Sequence, residues 1–169
     1  MNEGREWLVQ WLRDAHAMEE QAETMLNGQL SRLENYPELS ERIRLHIDET
    51  KGQAARLTSV LERFDTGSST MKDASGKLMA MAQSISGVFA GDEVMKGSLA
   101  SYTFEHMEIA SYTILAAAAE ALGETEVARV CEENLREEVA MAEWLKNNLA
   151  PTTQTFLSRA EADQGTAKR

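Results

Sequence analysis

Apolar side chains recur at three- and four-residue steps along four stretches of the chain, which is the spacing of one face of an α-helix. The pattern predicts long helices over roughly residues 5–34, 37–64, 93–122 and 125–148. Short breaks at Pro37 and Gly123 separate the first two helices and the last two, and these residue types commonly start and end helices. Each pair is therefore predicted to form an antiparallel hairpin.

The connection between the two hairpins is long, about 28 residues, and such a crossover distinguishes a ferritin-like four-helix bundle from an up-and-down bundle. Its segment 71–89 is moderately amphipathic and predicts one or two short helices. Beyond Pro151, the run PTTQTFLSRA predicts a short last helix, and the tail EADQGTAKR is predicted to be disordered. We expect an all-α protein, with the bundle in residues 1–150 and a C-terminal extension in residues 151–169.

Composition narrows the function classes. The chain is 43% hydrophobic and 27% charged, which excludes a disordered protein, and its net charge of −11 disfavours binding to nucleic acids, which are polyanions. A single cysteine, Cys131, permits no intrachain disulfide and fits a reducing compartment. No signal-peptide pattern or membrane-spanning apolar run is present. We expect a cytoplasmic protein that binds neither nucleic acids nor membranes.

Each predicted helix carries an acidic residue where its apolar stripe should continue, as in FEHMEIA with Glu105 and Glu108. Burying unpaired carboxylates costs several kcal/mol each. Either the acids are solvated, or they pair with Arg or Lys, or they bind cations. The candidates for a buried site, with the histidine that shares a face with one of them, are Glu20, His46, Glu49, Glu105, Glu108 and Glu138.

Residue spacing indicates that these acids lie at one level of the bundle. Glu20 and Glu49 are 29 residues apart, as are Glu108 and Glu137. This equal spacing favours Glu137 as the acid of the fourth helix, whereas alignment with the apolar stripe favours Glu138, which we prefer. Four acids at one level, one from each helix, is the layout of a dinuclear carboxylate site.

Carboxylates with one imidazole suit iron or manganese, and the lack of thiolates argues against structural zinc. We expect two metal ions, with iron preferred and manganese as the alternative. Glu19, Glu23 and Glu143 are expected to be solvated. Tyr112, four residues after Glu108, is predicted either to hydrogen-bond a ligand carboxylate or to pack in the core.

Four segments together carry a family resemblance: WLRDAHAMEEQAETML, HIDETKGQ, FEHMEIASY and LREEVAMAEWL. They resemble the YciE/YciF family of bacterial ferritin-like proteins, and within it the YciE branch most. The resemblance implies a ferritin-like fold with a dinuclear metal site, commonly as a homodimer, and a link to stress responses without an established reaction. Carried over by motif, it implies the same site residues: Glu20, His46, Glu49, Glu105, Glu108 and Glu138.

Two functions follow as hypotheses. The first is a di-metal oxidoreductase or metal-handling protein acting on peroxide, dioxygen or iron. The second is a non-catalytic helical interaction module in which the metal site is structural or vestigial. Metal content distinguishes them, because only the first requires bound metal.

Overall fold

The computed structural model describes residues 3–64, 94–162 and 166–168. It contains four helices, α1 (Glu3–Leu30), α2 (Pro37–Glu62), α3 (Val94–Ala121) and α4 (Thr125–Glu161), and the described residues form no strand. The all-α class and the four helices predicted from hydrophobic periodicity are confirmed. The short helices predicted within residues 71–89 lie outside the described residues.

The helices pack as two antiparallel hairpins side by side. Helix α1 packs on α2, α3 on α4, and the hairpins meet through α1 with α3 and α2 with α4. Helix α2 ends beside the α3–α4 turn, where Arg63 forms an ion pair with Glu126. Helix α3 begins at the opposite end, where Val94 packs in one cluster with Leu39. The end of α2 and the start of α3 therefore lie at opposite ends of the bundle, as in ferritin-like topology.

A buried polar layer divides the bundle core into two apolar clusters. The cluster near the α3–α4 turn includes Leu12, Leu57 and Leu115, and the cluster at the other end includes Leu26 and Leu145. Between them, the buried positions are polar or charged on all four helices. The main polar members of this layer are Glu19, His46, Gln53, Glu105, Glu108, Asn134 and Glu138.

The α3–α4 turn depends on glycine at one position. Gly123 has φ = 73°, a left-handed conformation that costs glycine nothing and strains residues with a Cβ. The Gly123 N–H bonds to the Glu120 carbonyl and the Glu124 N–H to the Ala119 carbonyl, which closes the end of α3. The prediction that this helix stops at Gly123 is confirmed.

Helix α4 corrects the prediction of a helix end near residue 148 followed by a separate short helix. It runs through Pro151 to Glu161, although proline removes one backbone hydrogen bond and costs roughly 3 kcal/mol inside a helix. Contacts beyond the proline offset this cost. Phe156 packs against the apolar cluster that includes Leu26 and Leu145. Arg159 donates a hydrogen bond to the Asn35 carbonyl (2.6 Å), and its guanidinium lies 4.6 Å from the centre of the Tyr36 ring.

The described part of the C-terminal tail is also ordered, contrary to the prediction of disorder. Ala167 is buried, and its carbonyl accepts a hydrogen bond from the Tyr36 hydroxyl. The Lys168 carbonyl accepts the N–H of Val94 at 3.1 Å, at the first residue of α3. Residues 166–168 thus cover the end of the bundle where α3 begins. The hydrogen bonds that hold them use backbone carbonyls, which every residue type carries, so the local sequence does not predict them.

Candidate metal centre

Four potential metal ligands meet in the polar layer: His46 from α2, Glu105 and Glu108 from α3, and Glu138 from α4. Each is no more than 1% exposed. One ligand atom from each lies within 4.8 Å of those from the other three. Glu105 and Glu108 are three residues apart and therefore share one face of α3, one turn above the other. The helices thus bring three carboxylates and one imidazole to a single buried point.

The imidazole of His46 is oriented by a carboxylate outside this group. Its Nδ1 lies 2.7 Å from Oε2 of Glu49, which also accepts a hydrogen bond from Arg42 at 3.2 Å. The opposite nitrogen, Nε2, lies 3.2 Å from Oε2 of Glu105 and 3.4 Å from Oε2 of Glu138. Metal-ligating histidines typically use one ring nitrogen for the metal and bond the other to a carboxylate or carbonyl. His46 has this arrangement.

A fifth carboxylate, Glu19 of α1, belongs to the same buried layer and is fully buried. Its Oε1 accepts a hydrogen bond from the Tyr112 hydroxyl. Burial raises the pKa of Glu19 well above its ordinary value, and the nearby charge of Glu138 raises it further. All four helices therefore contribute to this buried polar layer.

The carboxylate oxygens are under-satisfied. Among the described residues, no amide, hydroxyl or cationic side chain makes a well-directed hydrogen bond to either oxygen of Glu108 or Glu138, or to Oε2 of Glu105 and Glu19. A buried acceptor without a partner costs about 1–3 kcal/mol, and more if charged. Either protons retained by the carboxyl groups or bound cations must offset that cost.

The pKa values indicate how the cluster distributes protons when no metal competes. Burial raises the pKa of Glu105 to about 8, and burial with the neighbouring charge of Glu138 raises that of Glu108 well above its ordinary value. Burial also acts to raise the pKa of Glu138, but the neighbouring imidazole of His46, whose Nε2 lies 3.4 Å from Oε2, outweighs burial and holds the pKa below the ordinary range. Glu138 is therefore the carboxylate that ionises first.

His46 is the positive partner of that carboxylate. Burial alone lowers the pKa of an imidazole, but the adjacent carboxylates of Glu105, Glu138 and Glu49 outweigh burial and raise the pKa of His46 well above its ordinary value. A divalent cation bound in this cluster would replace the protons on the imidazole and the carboxyl groups. Donor set, burial and unpaired oxygens all fit an oxygen-preferring metal such as iron or manganese.

Comparison with known proteins places the chain in a family. The family model described as Domain of unknown function (DUF892) matches residues 3–158. The chain belongs to the DUF892 family. Protein YciF of Escherichia coli K12 is 33% identical over 140 residues, which cover 78% of this chain and 81% of YciF. The resemblance to YciF inferred from the sequence is confirmed, whereas the narrower resemblance to YciE stays a prediction.

Solved structures of similar proteins share the fold of this DUF892 protein. A protein from Xanthomonas campestris is 41% identical, with a TM-score of 0.77 covering 94% of this chain and 99% of its own. The crystal structure of the E. coli stress protein YciF gives 28% identity and a TM-score of 0.68, covering 89% and 96%. YcfI from Rhodopseudomonas palustris gives 25% identity and a TM-score of 0.64, covering 86% and 94%.

The structure brings together four of the six residues predicted from the sequence of this DUF892 protein: His46, Glu105, Glu108 and Glu138. Glu49 lies beside them and bonds His46, with its side chain 22% exposed. Glu20 does not join them: its side chain is 65% exposed and lies 4.0 Å from His16. Whether any of these residues binds metal stays a prediction.

Glu19 occupies the place predicted for Glu20, and the expectation that Glu19 is solvated is wrong. Adjacent residues on an α-helix differ by about 100° in direction, so only one of the pair can face the core. Glu19 lies four residues after Ala15 and three before Ala22, which are both buried. The spacing of 30 residues between Glu19 and Glu49 equals that between Glu108 and Glu138, so the sequence identifies Glu19 once Glu138 is chosen on α4.

Burial decides between the two adjacent acids on α4. Glu138 is fully buried, whereas Glu137 has a side chain 26% exposed and paired with Arg56 at 2.5 Å. Glu138 is thus the inward-facing member of the pair, as its alignment with the apolar stripe predicts, and its role as a metal ligand stays a prediction. Within the described ranges, no helix combines the length and the apolar character needed to cross a membrane.

Proposed function

We propose that this DUF892 protein binds two metal ions, iron in preference to manganese, and handles peroxide, dioxygen or iron under stress. One observation carries the proposal: four potential ligands converge within 4.8 Å in a buried layer where their carboxylate oxygens lack partners. Apolar side chains would satisfy packing there at lower cost, because buried charge without compensation is strongly destabilising. Bound multivalent cations supply that compensation.

The proposed ligands are the Nε2 of His46 and the carboxylates of Glu105, Glu108 and Glu138, together with Glu19 from α1. Glu49 fixes the imidazole through Nδ1, and its role as a further ligand remains a prediction from the family resemblance. Iron or manganese bound there would supply electron transfer and Lewis acidity. The protein side chains orient the ligands, and the apolar clusters on either side limit the access of bulk water.

The biological setting is also a proposal. YciF is described as a stress protein, and the DUF892 family membership supports a related setting for this chain. A cytoplasmic location, a homodimeric state and the absence of nucleic-acid binding are further expectations from composition and resemblance. The net charge of −11 supports the last of these, because it repels a polyanion.

Elemental analysis tests the metal site. The protein is purified without a metal-binding tag from cells grown with added iron or manganese, and both metals are measured per chain. We expect near-stoichiometric metal in the wild type. Glu138→Gln should lose most of it, because it removes a charged, fully buried ligand. Glu143→Gln, an exposed acid on the same helix, is the matched control and should retain metal.

Two outcomes contradict this function: a wild-type protein free of iron and manganese after growth in supplemented medium, or a Glu138→Gln variant with unchanged metal content. A metal-free wild type would favour the interaction-module hypothesis. With metal bound, consumption of hydrogen peroxide and oxidation of added ferrous iron are then measured separately. The faster of the two reactions identifies the substrate class.

A further inference from the structure

A continuous chain of hydrogen bonds crosses the bundle and ends at the candidate metal centre. Arg56 of α2 donates from Nε to Oδ1 of Asn134 on α4 at 2.7 Å. Nδ2 of Asn134 donates to the hydroxyl of Tyr112 on α3 at 3.0 Å, and that hydroxyl donates to Oε1 of Glu19 on α1. Each of the four helices supplies one member. Asn134, Tyr112 and Glu19 are fully buried.

The direction of this chain is fixed by chemistry at both ends. A guanidinium has only donors, so the Asn134 oxygen must face Arg56 and its NH₂ group must face Tyr112. The Tyr112 oxygen then accepts from Asn134, which leaves its own hydrogen for Glu19. Oε1 of Glu19 accepts this hydrogen whether the carboxyl group is ionised or carries its proton on Oε2, so the last bond has the matching polarity. Arg56 is itself held by Glu137 at 2.5 Å and Glu133 at 3.3 Å.

This arrangement treats the two oxygens of Glu19 differently. Oε1 is occupied by the Tyr112 hydroxyl, whereas Oε2 is buried without a hydrogen-bond partner among the described residues. A glutamate side chain has three rotatable bonds, and holding one oxygen removes most of its freedom to turn away. The free oxygen is then presented in a fixed direction within the polar layer.

We propose that Tyr112, oriented by Asn134 and Arg56, is a positioning residue that presents Oε2 of Glu19 to the metal ions. This inference rests on the proposed function, since it assigns Tyr112 a role toward the same metal centre. It goes further by identifying the group that makes Glu19 a one-oxygen ligand. Groups that orient metal ligands typically change metal affinity by about 10–100-fold when removed.

A double-mutant cycle with Mn²⁺ as the probe tests the inference. Mn²⁺ dissociation constants are measured by calorimetry for the wild type, Glu19→Gln, Tyr112→Phe and the double variant. Tyr112→Phe removes only the hydroxyl. We expect it to weaken Mn²⁺ binding by about 10–100-fold. The double variant should bind no more weakly than Glu19→Gln alone, because Tyr112 acts through Glu19.

The control is Tyr102→Phe, which removes a hydroxyl from a partly buried tyrosine of the same helix that packs edge-on against His106. It should leave the dissociation constant unchanged. A purely structural effect of Tyr112 would instead multiply with that of Glu19→Gln. The inference is overturned if Tyr112→Phe binds Mn²⁺ within about twofold of wild type, or if the two losses multiply.

Other outcomes are also decisive. If the wild type binds no Mn²⁺, the cycle is repeated with Fe²⁺ without oxygen. Binding of neither ion overturns both this inference and the proposed function, whereas wild-type binding with unchanged Tyr112→Phe overturns this inference alone. If Tyr112→Phe does not fold, Asn134→Asp replaces it. The new carboxylate diverts the Tyr112 hydrogen away from Glu19, so positioning predicts weaker Mn²⁺ binding despite the added negative charge. Equal or tighter binding would then overturn the inference.

Discussion

Replacing Glu108 by glutamine should stabilise the metal-free protein while removing its response to metal. Glu108 is 1% exposed, and neither of its oxygens receives a well-directed hydrogen bond from a described amide, hydroxyl or cation. Glutamine has nearly the same shape and no charge. The NH₂ group of glutamine can donate hydrogen bonds to surrounding carboxylate oxygens that have no donor among the described residues of the wild type. The substitution therefore removes a free-energy cost that Glu108 imposes on the metal-free protein.

The magnitude follows from the unpaired oxygens. A buried polar group without a partner costs about 1–3 kcal/mol, so the free energy of unfolding of metal-free Glu108→Gln should rise by about that amount. For a domain of this size, 1 kcal/mol shifts Tm by about 2–4 °C, which predicts a rise of about 2–12 °C. In the wild type, Mn²⁺ at about 100 times Kd should add ~2.7 kcal/mol per site.

Thermal unfolding followed by circular dichroism measures both effects. Protein stripped with a chelator is melted at pH 7 with and without Mn²⁺, as wild type, as Glu108→Gln and as the control Glu120→Gln. Glu120 is an exposed acid on the same helix, and its substitution should change stability by less than about 0.5 kcal/mol. A lower metal-free Tm for Glu108→Gln, or a wild-type-sized rise with Mn²⁺, would refute the reasoning.

Three further predictions concern other parts of the molecule. Glu20→Gln should keep wild-type metal content while Glu19→Gln loses metal, measured by elemental analysis; equal loss in both would contradict the assignment of Glu19. Burial raises the pKa of Cys131 to about 12, so its thiol stays protonated at pH 8 and should react with a disulfide reagent only after unfolding; rapid reaction of the native protein would contradict this burial. Arg159→Ala removes the hydrogen bond and the ring contact that hold the end of α4 and should lower the free energy of unfolding by about 1–2 kcal/mol, measured by denaturant titration; a change no larger than that of the exposed-residue control Arg136→Ala would show that these contacts do not stabilise the helix.

The helices were predictable because their apolar positions repeat over many turns, so a few exceptions do not obscure the pattern. The end of α4 was not, because Pro151 is a local stop signal that is overridden by contacts of Phe156 and Arg159 with distant parts of the chain. Such contacts join residues that no short sequence window contains. Local propensity is a weak prior in that situation.

The sequence was enough to predict the residue types of the candidate site and its height along the bundle. It was not enough to predict which of two adjacent acids faces the core. Adjacent acids occur on both α1 and α4, and each pair leaves the inward-facing member ambiguous because one residue is a rotation of about 100°. Choosing Glu20 gave a spacing that conflicted with Glu138. Choosing Glu19 removes the conflict, since both hairpins then have acids 30 residues apart.

The connection from Arg56 to Glu19 had no signal in the sequence. Its bonds join α2 to α4, α4 to α3 and α3 to α1, and the direction of each bond depends on the assembled bundle. Tyr112 alone was a candidate for bonding a ligand carboxylate, with core packing as the alternative. In the structure its ring packs in the apolar cluster near the α3–α4 turn, and its hydroxyl donates to Glu19, which is the proposed ligand from α1.

Anomalous diffraction from crystals of the metal-loaded protein tests the central claim most directly. Data collected on either side of the iron or manganese absorption edge locate the metal and its ligands in one map. The account predicts anomalous peaks enclosed by His46, Glu105, Glu108 and Glu138, with Glu19 directed toward them. Metal-loaded crystals with no peak in that layer, or with these carboxylates turned to solvent, would contradict it.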